Sequence, residues 1–178
     1  MSRTIDLPKR ICYPGEMLEI KVRMDKGAKL PTKAHNHDAG WDLYARKVEK
    51  VDAEMLVVPQ LNYGSAPFNR MVPRPPVLYT IDTGVHIAIP EGWMGVVYGR
   101  SGLAFNQAVF PAYEGIIDAG YTGSIKVLLR DDKYQHEVMP GDKVAQLVFL
   151  PVPEITLRQV TKLTKSKRGK KGFGSSGT

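Results

Sequence analysis

Asp118 stands in Gly115-Ile116-Ile117-Asp118-Ala119-Gly120-Tyr121-Thr122-Gly123, where an apolar pair runs into one carboxylate and then a tyrosine set among glycines. That order suits a hairpin with its functional groups at the tip, where a carboxylate can act as general base on a water. The same residues also suit an Asx-type turn in which Asp118 bonds only its own backbone. Gly99-Arg100-Ser101-Gly102-Leu103-Ala104 follows an apolar run and sets a guanidinium, a hydroxyl and free amides at a strand end, which suits phosphate; an ordinary tight turn is the alternative. The tail Arg168-Gly169-Lys170-Lys171-Gly172-Phe173-Gly174-Ser175-Ser176-Gly177 combines glycines that can turn backbone N–H groups onto an anion with serine hydroxyls, a guanidinium for phosphate oxygens and one flat aromatic face for a base. It also reads as a flexible basic tail, a localisation signal or an expression scar.

Two further stretches carry polar groups in apolar surroundings. Asp38-Ala39-Gly40-Trp41-Asp42-Leu43 offers two carboxylates, either of which could organise a hydrated Mg²⁺. Gln146 lies within the apolar run that follows Pro140-Gly141-Asp142, and a buried amide must find partners, in a ligand or in the core.

The elements that must position these groups are short strands. Leu18 to Met24 alternates apolar and charged residues, a period of two that puts one face in a core and the other in water. Val85, Ile87 and Ile89 repeat the pattern, and Pro90-Glu91-Gly92 then supplies a turn before a strand over Trp93–Tyr98. Ile125, Val127 and Leu129 alternate against Lys126 and Arg130; Val144 to Leu150 forms a denser strand, and Ile155 with Leu157 starts one more. Helical spacing is sustained nowhere beyond a short candidate around residues 102–109. Many short strands with Gly and Pro turns predict an all-β sandwich, barrel or jelly roll. Residues 60–76, rich in Asn, Gly and Pro, read as an inserted surface loop available to a protein partner.

The chain of 178 residues suits one domain with a real core. No apolar run reaches the ~20 residues needed to cross a bilayer, and the first residues lack the apolar stretch of a signal peptide. A single cysteine, Cys12, fits a reducing compartment, so the expectation is a soluble cytoplasmic protein with no membrane partner. Of the net charge of +7, six units fall from Lys162 onward, leaving 19 basic against 18 acidic residues before it. A nearly neutral body with a basic tail points to a local polyanion, not to a nucleic-acid face. The division expected is residues 1–161 as the β domain and 162–178 as a mobile tail that orders over ligand.

In their order, these five segments closely resemble the five motifs of the homotrimeric deoxyuridine triphosphatase (dUTPase) family, over roughly Leu18 to Thr178 apart from residues 60–76. The resemblance implies a jelly-roll subunit, a homotrimer with sites built between subunits, and conversion of dUTP and water to dUMP and pyrophosphate with Mg²⁺ on the phosphates. It implies that Asp118 activates the water that attacks the α-phosphate, and that Tyr121 packs against the sugar. It implies that Gly115, Ile116, Ile117 and Lys126 read the uracil edge. Arg100, Ser101, Gly102 and Gln146 would hold phosphates, with Asp42 on the metal's waters. Arg168, Phe173, Gly174, Ser175 and Ser176 would close over the substrate, Phe173 stacking on uracil.

The sequence departs from the family pattern at Ala112, where some members carry a polar side chain, and at Leu129-Arg130-Asp131-Asp132, where many have an asparagine. The rival readings are dCTP deaminase, which shares the fold, or its bifunctional relative, and a non-catalytic module that uses nucleotide as a switch. The complete tail stands against the deaminase, as does the lack of a candidate deaminating glutamate between Ile125 and Asp132; an intact Asp118 stands against the dead module.

Overall fold

The computed structural model describes residues 18–51, 76–133, 135–166 and 168–169. Cys12, residues 60–75 of the inserted loop, and Phe173, Gly174, Ser175 and Ser176 lie outside the described residues. The elements run β1 (Lys21–Met24), β2 (Trp41–Tyr44), β3 (Lys47–Val51), β4 (Val77–Asp82), β5 (Val85–Ala88), β6 (Trp93–Tyr98), α1 (Ser101–Gln107), β7 (Val109–Pro111), β8 (Gly115–Ile117), β9 (Lys126–Asp131) and β10 (Lys143–Pro151). One four-stranded sheet has the order β2-β10-β6-β8, a second β3-β4-β9-β7, and β1 pairs with β5 in a two-stranded ribbon. Every pairing between named strands is antiparallel. The fold is all-β and jelly-roll-like.

The expected alternation holds where strands line the core. Val85, Ile87 and Ile89 are buried, as are Ile125, Val127 and Leu129, and they join Leu43, Ile81, Val97 and Leu147 in one cluster that draws on both four-stranded sheets. A fully buried side chain of this size stabilises by about 1.5–3 kcal/mol relative to exposure, so the cluster dominates what keeps the sheets together. Trp93–Tyr98 is a strand over the bounds expected, entered through a turn in which the Trp93 amide donates to the Pro90 carbonyl and Gly92 takes φ +81°. In β10, Val144 and Ala145 are both buried because a bulge between Lys143 and Ala145 interrupts the pairing with β2. An extra residue there changes the direction of the chain and re-aims Lys143.

Two strand expectations fail. The stretch from Leu18 is paired only over Lys21–Met24, and Val22 and Met24 are each 39% exposed. Among the described residues β1 pairs with β5 alone and its apolar residues meet no second layer, while of this stretch Ile20 packs against the core. Ile155 and Leu157 form no strand and are 72% and 94% exposed. Pro151 closes β10 and Pro153 follows it, and proline removes the N–H a ladder needs. The short helix is present as α1, ended by Ala108 in the left-handed conformation with its amide donating to the Ala104 and Leu103 carbonyls. Among the described residues no helix is long and apolar enough to cross a membrane.

Candidate active site

Asp42 is the centre of the first group of site residues. It lies on β2, 3% exposed, directly opposite Gln146 of β10. Its Oδ1 accepts from Arg100 Nε at 3.1 Å and from Gln146 Nε2 at 3.4 Å, and its Oδ2 accepts from Lys143 Nζ at 2.8 Å. Arg100 also donates through Nη1 to the Lys143 carbonyl at 3.1 Å. Burial alone would raise the Asp42 pKa, but the Lys143 hydrogen bond and the charges of Arg100 and Lys143 outweigh it and hold the carboxyl below its usual range. The same contact pushes Lys143 up, chiefly through its hydrogen bond to Asp42.

This arrangement aims Arg100. Two of its nitrogens, Nε and Nη1, are fixed on the scaffold, and Nη2 makes no hydrogen bond among the described residues. Arg100 itself is extended at the N-cap and gives that turn no side-chain cap, so the first amides of the helix stay available. Ser101 and Gly102 are exposed there, and Gly102 has nothing within 4 Å of where a Cβ would stand. Gly40 packs closely on Gln146, where a Cβ would lie 3.2 Å from the glutamine's own Cβ. Gln146 is therefore a partly buried amide whose nitrogen serves Asp42 and whose oxygen remains for another donor.

The hairpin forms the second group. β8 pairs with β6 on one side and, among the described residues, is the last strand of its sheet, so every second residue turns its N–H and C=O away from the partner, unpaired by any described strand. Beyond Ile117, Gly120 at φ +85° makes the turn and the Tyr121 amide donates to the Asp118 carbonyl at 3.2 Å. Asp118 is exposed, and among the described residues its carboxylate makes no hydrogen bond or ion pair, so the Asx turn is not formed. Tyr121 donates its hydroxyl to the Ser124 carbonyl at 3.1 Å, lying over Gly123, where a Cβ would run into the ring. Lys126 begins β9 opposite Asp82 and is exposed.

The two groups are not brought together within one chain. Tyr98, two residues before Arg100, lies opposite Gln146, whereas Ile117, next to Asp118, lies opposite Gly95. Three residues of strand separate those levels, about 10 Å, before Arg100 extends further the other way. Ala112 is exposed, its amide bonded to the Leu128 carbonyl. Asp131 is fully buried and accepts the amides of Lys133 and His136, so in this chain a carboxylate organises that turn. Asp38 is likewise structural in its contacts, accepting the His35 amide at 2.8 Å. Arg168 is exposed near the end of the described residues.

Lys143 was not among the residues picked out by sequence. Nothing local marks it, although an aspartate within an apolar strand calls for a cation somewhere. Among the described residues no three His, Cys, Asp or Glu side chains lie together as a metal cage.

The dUTPase family profile matches residues 64–177. A deoxyuridine 5'-triphosphate nucleotidohydrolase from Leifsonia xyli subsp. xyli is 38% identical over 152 residues, covering 84% of this chain and 86% of that protein. The dUTPase of Staphylococcus bacteriophage 80alpha, solved with dUPNHPP, superposes with a TM-score of 0.69 at 26% identity, covering 91% of this chain and all of that one. A point variant of the dUTPase from phage phi11 of S. aureus, which coordinates a structural Mg(II) ion, shares the fold with a TM-score of 0.61 at 23% identity, over 83% of this chain and 100% of that one.

Proposed function

The chain belongs to the dUTPase family, and from that premise we propose that it hydrolyses dUTP to dUMP and pyrophosphate in sites shared between the subunits of a homotrimer. Asp118 takes a proton from a water whose oxygen attacks the α-phosphorus, the bond from that phosphorus to the α–β bridging oxygen breaks, and pyrophosphate leaves. An exposed carboxylate with no partner among the described residues is free to accept that proton, which is the observation that carries the reading. Tyr121, laid over Gly123, packs on the sugar and leaves no room for a 2′-hydroxyl. The open edge of β8, at Gly115, Ile116 and Ile117, with Lys126 nearby in the chain, reads the uracil.

Arg100, Ser101, Gly102 and Gln146 take the phosphates, with Asp42 and Lys143 fixing the guanidinium. Phosphoryl transfer needs positioning and charge neutralisation more than covalent help, and a cradle of one cation and several amides suits it. The separation of this cradle from Asp118 along the sheet supports a site in which one subunit supplies the hairpin and another the phosphate group. Residues 1–161 form the catalytic domain in this reading, and residues 162–178 close over the substrate through Arg168, Phe173, Gly174, Ser175 and Ser176.

Three of the roughly four lone-pair positions of Asp42 are in use, and ligating a metal directly would pull it from Arg100 and Lys143. The residues fit Mg²⁺ carried on the substrate's phosphates and touched by Asp42 through water; when bound there it would neutralise phosphate charge. The test is pyrophosphate release from dUTP, dTTP, dCTP and UTP. Turnover of dUTP alone is expected, and turnover of dCTP or of none of the four would overturn the assignment.

A further inference from the structure

His86 lies on β5, apart from the residues given a role in hydrolysis, and both of its ring nitrogens are engaged. Nδ1 is 2.8 Å from the Thr122 carbonyl oxygen and Nε2 is 3.2 Å from Asp25 Oδ1. A carbonyl oxygen only accepts, so Nδ1 must carry a hydrogen. Asp25 is ionised: Arg23 Nη1 stands 3.1 Å from its Oδ1 and Arg46 Nη2 3.2 Å from its Oδ2. Its pKa is held below the usual range, first by the hydrogen bond from His86, against burial, and then by the charges of His86 and Arg46. An ionised carboxylate also only accepts, so Nε2 must carry a hydrogen as well. Neutral imidazole has one N–H and cannot serve both partners; imidazolium can.

The surroundings of the ring are charged but paired. Arg23 of β1 is its cross-strand partner, Asp25 follows β1, Arg46 comes from between β2 and β3, and Asp82 ends β4 and is bonded by Arg46. The hairpin presents the Thr122 carbonyl. The His86 side chain is 13% exposed.

The position of this contact matters mechanically. Behind the tip, the hairpin is tied to the body by the Ile125 amide on the Val85 carbonyl, by the Thr83 amide and hydroxyl on the Ile125 carbonyl, and by the Ser124 hydroxyl on Asp82. The His86–Thr122 bond is the next tie outward, one residue from Tyr121.

We propose that His86 is a positioning residue for the hairpin: its ring, donating from both nitrogens, ties the Thr122 carbonyl to Asp25 and holds Tyr121 and Asp118 in place for substrate. The link to substrate rests on the roles proposed above for Asp118 and Tyr121, while the clasp itself does not. A side chain that reaches only one of the two acceptors leaves the other unserved, so the hairpin tip loosens when the ring is replaced.

The test uses the full-length protein, with His86→Gln, which keeps a donor but cannot span both partners, and Asp25→Asn as a second variant. Ring ¹⁵N shifts should show both His86 nitrogens donating in the parent, with the Nε2 signature weakened in Asp25→Asn. Exchange protection of the Tyr121 amide should be several-fold lower in His86→Gln than in the parent. KM for dUTP should be about three- to tenfold higher in His86→Gln, the loss of one hydrogen bond, with kcat steady. A ring nitrogen that does not donate, or equal Tyr121 protection in parent and His86→Gln, overturns the clasp. Equal KM values with a confirmed clasp overturn its positioning role. A protein that turns over no dUTP brings down the hydrolytic reading, while the ring shifts and amide exchange still decide the clasp.

Discussion

Replacing Asp42 by asparagine keeps the side-chain shape and exchanges one oxygen for an NH₂ group. Oδ1 faces Arg100 Nε and Gln146 Nε2, and Oδ2 faces Lys143 Nζ. An amide can present its oxygen to one of these sides only, so its NH₂ points at a donor whichever way it is turned. Breaking a buried ion pair by removing one partner costs about 3–5 kcal/mol, whereas exposed pairs are worth about 0–1 kcal/mol. The carboxylate is 4% exposed but Arg100 and Lys143 are 27% and 37% exposed, so the two cations can recover much of their hydration. The expected loss is about 2 kcal/mol, or ~4–8 °C in melting temperature for a chain of this size. It should be measured by urea denaturation without nucleotide or Mg²⁺, beside Lys143→Met and the double variant. Removing the facing ammonium should restore part of the loss, so the two substitutions should not be additive. A loss below ~0.5 kcal/mol, or simple additivity of the two substitutions, would refute the structural role drawn for Asp42. An aspartate that served only a metal's waters would leave the nucleotide-free protein unchanged.

Asp118→Asn should lower kcat by ~10²–10⁴ with little change in dUTP affinity or melting, because the carboxylate has no partner among the described residues to lose; near-normal turnover would remove it from the reaction. Gly123→Ala should displace the Tyr121 ring and cost selectivity for dUTP over UTP by about tenfold or more, read from the two kcat/KM values; unchanged selectivity would take Tyr121 off the sugar. Asp25, Asp42 and Asp82 all have pKa values lowered by folding, so their stabilisation is complete above the unfolded value of about 3.9 and is lost as pH falls through the lower folded values. Asp82, whose burial is outweighed by bonds from Ser124, the Gly84 amide and Arg46, makes the clearest test: Asp82→Asn should be less stable at neutral pH and show a flatter acid limb in urea midpoints. A limb as steep as the parent's would show that the carboxylate is not part of that response.

Much of the framework was legible because a strand that lines a core has to alternate, and Val85 to Ile89 and Ile125 to Leu129 do so without interruption. The hairpin around Asp118 was legible for a similar reason: Gly120 and Gly123 are local demands of backbone and packing. What escaped was set by pairing between distant segments. Lys143 reaches Asp42 because a bulge in β10 re-aims it, and no pattern within residues 141–147 announces a bulge. The network of Asp25, Arg46, Asp82 and His86 joins residues from four different parts of the chain, each of which looks like an ordinary surface charge in its own stretch. The outward face of β1 and the unpaired run around Ile155 and Leu157 misled for the opposite reason: alternation records a face that wants cover, not whether this chain alone covers it.

β8 invites a different question, that of unwanted company. An open strand edge is also a template on which any passing strand could add itself, and chains that do so polymerise. Here the exposed edge is only three residues long, Gly115–Ile117, with the carboxylates of Glu114 and Asp118 exposed at either end. Two like charges about one strand-width of sequence apart make the edge inhospitable to another β-strand. Asp118 thereby guards colloidal behaviour as well as sitting where chemistry is proposed, and a preparation that loses this carboxylate should be watched for slow association on storage.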